Sequence, residues 1–152
     1  MKNQKGFSLV ELLVVVIIIA IIAAIAIPSL LASRRAANEA SAVQTLRTIH
    51  SAEATYQATT GAGNYGTLTN LGGANLVDDN IGTATPTKSG YDFTEAASPD
   101  DVGYCVEGHP SNAGVSGNRN FGINMDGVVM VDAAAAVVCT PATFAISGAA
   151  LN

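Results

Sequence analysis

Lys5-Gly6-Phe7-Ser8-Leu9-Val10-Glu11-Leu12-Leu13 opens an apolar run that continues to Ile27 and on past Pro28 and Ser29 to Leu31 and Ala32. No charge occurs between Leu12 and Ser33. Twenty-odd helical residues rise about 30 Å, the thickness of a bilayer's hydrocarbon core. Lys2 and Lys5 precede the run and Arg34 and Arg35 follow it, so charge asymmetry orients the segment only weakly. A secretory signal peptide would need a small-residue cleavage site after the run and no carboxylate within it. Glu11 breaks the second condition.

A carboxylate at membrane depth costs several kcal/mol (~2.5–3.5 on insertion scales) unless it is paired or reaches water. Glu11 stands four residues after Phe7, on the same face of a helix. A cut before Phe7 would free an ammonium one turn away, or at the same depth on a neighbouring chain. That ammonium would neutralise Glu11. The simpler reading is that Glu11 marks the helix edge and reaches the interface.

The Gly6-Phe7 junction, Glu11 and the aliphatic run together resemble the class III leader junction of type IV prepilins and type II secretion pseudopilins. The resemblance covers about the first 60 residues, with Gly, Phe and Glu at the family's spacing. It implies cleavage after Gly6 by a prepilin peptidase, N-methylation of Phe7, and a role for the Glu11–Phe7 charge pair in docking subunits. It also implies a single-pass precursor in the inner membrane, the pilus assembly machinery as partner, and a cell-surface filament of identical copies as product. Pro28 falls where these pilins carry a helix-kinking proline; lacking an amide hydrogen, it should bend or locally melt the helix.

Residues 29–60 are Ala-rich and free of Gly and Pro, and Val43, Leu46, Ile49, Ala52 and Tyr56 recur at helical spacing. They define one apolar stripe for packing on a sheet, with Arg34, Arg35, Glu39, Arg47 and Glu53 mostly at other angles. A helix from Phe7 to Thr60 would be roughly 80 Å long. A head of this size cannot cover it, so about half should project and be buried by other copies. Residues 61–90, rich in Gly, Asn and Thr, read as a long loop with local structure around Leu68 and Leu71. Strands are expected at 91–96, 102–107, 119–125 and 128–132, with a possible edge at 135–139. Asp126-Gly127 signals a two-residue hairpin that would put Phe121, Ile123, Met125, Val128 and Met130 on one face.

The expected organisation is α+β: a cleaved leader at 1–6, a membrane and filament-core half-helix at 7–33, and a pilin-like head at 34–152. The head comprises helix at 34–60, loop at 61–90, and antiparallel sheet with a C-terminal region at 91–152. Cys105 and Cys139 are the only cysteines, and an even count in an exported domain favours one disulfide. Two buried thiols, or two metal ligands without partners, are the alternatives. The pilin resemblance implies a disulfide-bounded C-terminal region, worth roughly 3–4 kcal/mol if unstrained.

Composition narrows the function further. The chain has 152 residues, 49% of them hydrophobic and 12% charged, with a net charge of −5. An acidic surface without a basic run argues against nucleic-acid binding by the isolated subunit. His50 and His109 have no Cys, His or acidic neighbours at metal-ligand spacing, so no metal and no cofactor is expected. The acidic Asp78-Asp79-Asn80 lacks the ligand spacing of a calcium loop and reads as a solvated turn. Asp100-Asp101 are adjacent and ill-placed for paired acid–base work, and no nucleophile or phosphate-loop motif occurs.

The sequence therefore reads as a non-enzymatic structural subunit of a type IV pilus, with a minor pilin or a type II secretion pseudopilin as alternatives. A non-polymerising, membrane-anchored binding module is the reading from another class. It would keep residues 1–6, or be cut beyond the apolar run.

Overall fold

The structure is a computed structural model; it describes residues 6–97, 103–132, 139–140 and 145–151. The chain divides into two compact units, Met1–Arg34 and Arg35–Asn152. One helix, α1 (Leu9–Ala58, 50 residues), contributes to both. Its helical conformation continues through Pro28. With no amide hydrogen, Pro28 leaves the Ala24 carbonyl without its usual intrahelical donor.

In the first unit every large apolar side chain from Leu9 to Leu31 is exposed, from 78% at Leu9 to 44% at Leu31. In the second unit α1 turns one stripe inward. Ala42, Leu46, Ile49 and Ala52 are buried, with Val43 and Tyr56 partly so. The hydroxyls of Thr45, Thr48, Thr55 and Thr59 each donate to the carbonyl four residues back, which satisfies them without leaving the helix. Glu39 and Glu53 belong to the inward face as well, at 7% and 1% exposure. This corrects the outward placement that their charge suggested. Both are held by backbone amides: Glu39 by Asn118, together with the Arg119 guanidinium, and Glu53 by Gly66.

The helix stops where Gly61 donates to the Tyr56 carbonyl at 2.7 Å. Any β-carbon at Gly61 would lie 2.1 Å from the Asn64 carbonyl oxygen and 2.9 Å from the Tyr56 ring. Residues 61–90 are more structured than a bare loop. Thr67 caps a short helix, α2 (Leu68–Gly73), by accepting from the Asn70 amide, and Leu68 and Leu71 enter the core. Gly72 and Gly82 then meet backbone to backbone, close enough that a β-carbon on Gly82 would sit 2.4 Å from the Gly72 Cα.

The sheet is an antiparallel meander of β1 (Thr87–Lys88), β2 (Tyr91–Ala97), β3 (Cys105–Pro110), β4 (Asn120–Asn124) and β5 (Met130–Asp132). Two further strands, β6 (Cys139–Thr140) and β7 (Ala145–Ile146), form a separate ladder. The last, β8 (Ala149–Ala150), adds to β5 as the sixth strand of the main sheet. The central strands fall where expected; residues 135–138 of the expected edge piece lie outside the described residues. Tyr91, Phe93, Tyr104, Val106, Phe121 and Ile123 face the α1 stripe in one core.

The β4–β5 register departs from a two-residue hairpin. Phe121 pairs with Val131 and Gly122 with Met130. A two-residue turn at Asp126-Gly127 would instead have opposed Ile123 to Met130. Asn124 is the cause: its side-chain oxygen accepts from the Asp126 amide and its amide donates to the Asp126 carboxylate. The Gly127 amide then returns to the Asn124 carbonyl, with Gly127 at a φ of 74°. The turn thus starts early and the register slips by one residue, which exchanges the faces of the returning strand. Val129 is buried at 4% and Val131 packs on the core, while Val128 is 45% exposed. Val129→Ala is therefore expected to cost about 1–3 kcal/mol and Val128→Ala under about 0.5 kcal/mol, read from unfolding curves of the two variants.

The N-terminal segment as candidate functional site

Gly6, Phe7 and Ser8 precede α1 outside any regular element and are exposed, Phe7 to 86%. The Gly6–Phe7 peptide bond therefore lies outside the helix. What ends the helix there is Ser8 together with Glu11. The Ser8 amide donates to Glu11 Oε2 at 2.9 Å, and the Ser8 carbonyl receives the Leu12 amide at 3.3 Å. A carboxylate three residues into a helix that reaches back to the first amide is one half of a capping box. The first four amides of a helix have no intrahelical acceptor, and the positive end of the helix dipole favours an anion beside them. Glu11 thus has a local role in the uncut chain. Its pattern, Ser8-x-x-Glu11 before an apolar run, is readable in the sequence, although the charge of Glu11 alone does not point to it.

Beyond Glu11 the site is a surface. α1 is long and apolar enough to cross a membrane, and its most apolar window has none of its residues buried within the chain. At about 1.5–3 kcal/mol for each large side chain taken out of water, the exposed stretch carries tens of kcal/mol of unrealised burial. Membrane or protein has to cover it.

The head residues singled out in the sequence are engaged in structural roles. His50 Nδ1 lies 2.5 Å from the Tyr104 hydroxyl, and His109 Nε2 lies 3.1 Å from Glu107. Asp78 is taken up by Lys88 and the Ile81 amide, and the hydrogen bond from Lys88 is the main reason its carboxyl is held below the usual range. Among the described residues no group of three or more His, Cys, Asp or Glu is arranged to hold a metal. Cys105, buried at the start of β3, is disulfide-bonded, and β6, which begins at Cys139, lies against β2 and β3. Asp100-Asp101 lie outside the described residues.

Residues 1–27 match the family model described as the prokaryotic N-terminal methylation motif. The chain accordingly carries the class III prepilin leader of the type IV pilin and pseudopilin family, followed by a long apolar N-terminal helix. No curated protein matches the chain, and no solved structure does.

The two roles of Glu11, cap and charge, separate by substitution. Glu11→Gln retains a side-chain acceptor for the Ser8 amide, whereas Glu11→Ala removes it. In detergent micelles the backbone chemical shifts of Leu9–Leu12 are expected to stay helical in Glu11→Gln. They should move toward coil in Glu11→Ala, reflecting a lost cap of about 0.5–2 kcal/mol.

Proposed function

We propose that this chain is a non-catalytic structural subunit of a type IV pilus filament. It is held in the inner membrane as a single-pass precursor, cut between Gly6 and Phe7 by a prepilin peptidase, N-methylated on Phe7, and polymerised with copies of itself. The observation that carries this reading is the union of a prepilin leader with an apolar half-helix that the described residues leave uncovered. The same surface is satisfied first by lipid and later by the equivalent surfaces of other copies. Pro28 serves as the kink that lets neighbouring helices pack, and a Cys105–Cys139 disulfide closes the C-terminal region.

The charge pair gains a physical basis from the cap. Consecutive backbone nitrogens are roughly 3–4 Å apart, and Glu11 Oε2 already rests on the Ser8 nitrogen. An ammonium on Phe7 therefore arises beside the carboxylate, in the same chain or from a neighbour at the same depth. In a filament core an unpaired carboxylate is destabilising by about 3–5 kcal/mol. Assembly then favours chains that have lost residues 1–6. Within the family, the main filament subunit is preferred over a minor pilin or a secretion pseudopilin because the head is small and plain. Adhesion, motility, DNA uptake and secretion are all compatible uses of such a filament.

Mass spectrometry of the mature protein should find an N-terminus at Phe7 carrying one added methyl group. An intact leader, or a start beyond Ala32, would sink the proposal in favour of an anchored binding module. Electron microscopy of sheared surface filaments should identify this chain as the bulk subunit. Glu11→Gln, which keeps the cap and loses the charge, should abolish those filaments; abundant normal filaments from that variant would overturn the charge-pair account.

A further inference from the structure

Two carboxyl groups stand inside the second unit with no cation paired to them among the described residues. Glu53, on α1, is 1% exposed; its Oε2 accepts from the Gly66 amide at 2.9 Å, while its Oε1 is buried without a hydrogen-bond partner among the described residues. Glu95, half-buried on β2, accepts from the Leu68 amide. The two amides lie two residues apart. One short stretch, Gly66–Leu68, is thus gripped by a carboxyl from the helix and a carboxyl from the sheet. That stretch links the exposed turn at 62–64 to the start of α2.

The groups facing Glu53 leave its charge uncompensated. From β2 comes Glu95, whose negative charge opposes that of Glu53. From the residue before β3 comes the Tyr104 hydroxyl, itself held neutral chiefly by burial. From the loop comes Tyr65, its ring 5.1 Å from that of Tyr104. From α1 comes His50, whose Nδ1 is engaged with the Tyr104 hydroxyl. Two carboxyls in such surroundings do not readily ionise together, because desolvation and like charge both favour keeping one proton.

We propose that Glu53 and Glu95 form a protonation-gated clasp on Gly66–Leu68, closed while the pair holds a proton and opened to water once both carboxyls are ionised. The buried, unpartnered Oε1 gives the device its direction. A neutral acid leaves that oxygen unpaired at modest cost, whereas a carboxylate leaves it as an unsatisfied anion. Burial above all pushes Glu53 up from 4.5 to about 7, the Glu95 charge adding to the rise and the Gly66 amide opposing it. Burial likewise raises Glu95, against the pull of the Leu68 amide. A carboxyl with a raised value in the folded chain binds its proton more tightly there than in the open chain. Its contribution to closure is therefore complete below 4.5 and lost as pH rises to about 7. The clasp belongs to residues 35–152 and holds whether or not the chain forms filaments.

Amide hydrogen exchange on the full chain in detergent micelles tests it, with rates corrected for their intrinsic pH dependence. Between about pH 5 and about pH 8.5, protection at Gly66 and Leu68 should fall at least about tenfold while that at Ile123 in β4 stays constant. Glu53→Gln should abolish the pH dependence. Equal protection at both pH values in the unaltered chain, or an undiminished pH dependence in Glu53→Gln, overturns the proposal. Should that variant fail to fold, the Glu53 carboxyl carbon is titrated by NMR in the unaltered chain. A midpoint well above the ordinary glutamate value supports the clasp, and one at the ordinary value overturns it.

Discussion

Uncovered hydrophobic surface governs this molecule. The first half of α1 presents Leu, Val and Ile on every side, and nothing else among the described residues covers it. A helix satisfies its own backbone, so such a segment is stable in lipid, but its side chains are not at rest in water. The leader junction and the Ser8–Glu11 cap stand at the end of that segment. The second half of α1 obeys the ordinary rule of soluble domains, one face on the core and one in water. A single continuous element therefore serves two solvents, and the change falls near Arg34 and Arg35, the first charges after Glu11.

Inside the head, carboxylates and backbone amides join the helix to its loops. Glu39 receives the Asn118 amide and the Arg119 guanidinium, whose far side lies over the Phe121 ring at 5.4 Å. Glu53 accepts from the Gly66 amide, and Glu95, on β2, accepts from that of Leu68. These contacts differ in balance. Glu39 has a cation as well as an amide, while among the described residues Glu53 has an amide alone. Similar side chains on one helix face thus respond differently to ionisation, and the difference comes from the loops that meet them.

Much of this was legible in the sequence, and the reasons for what was missed are physical. The junction at Gly6-Phe7, the apolar run and the stripe through Leu46 and Ile49 are local patterns with fixed periods. The four central strands follow from alternation and turn residues. The β4–β5 register departs from the hairpin that Asp126-Gly127 signals because the Asn124 side chain moves the turn. Glu39 and Glu53 were placed outward because charge usually marks solvent. Their burial depends on Asn118 and Gly66, distant in sequence. β8 joins the sheet through two alanines, which carry too little pattern to announce a strand.

Those alanines bear on how copies of the chain can meet. The two outer strands of the main sheet, β1 and β8, are each two residues long. Pro86 directly precedes the first and Gly148, at a φ of 124°, interrupts the chain before the second. Outer strands this short offer few unpaired backbone groups to a strand from another molecule. These two strands are consequently poor templates for cross-molecular pairing, even at high local concentration. Growth by strand addition, the route that leads to amyloid, is blunted at these two short strands.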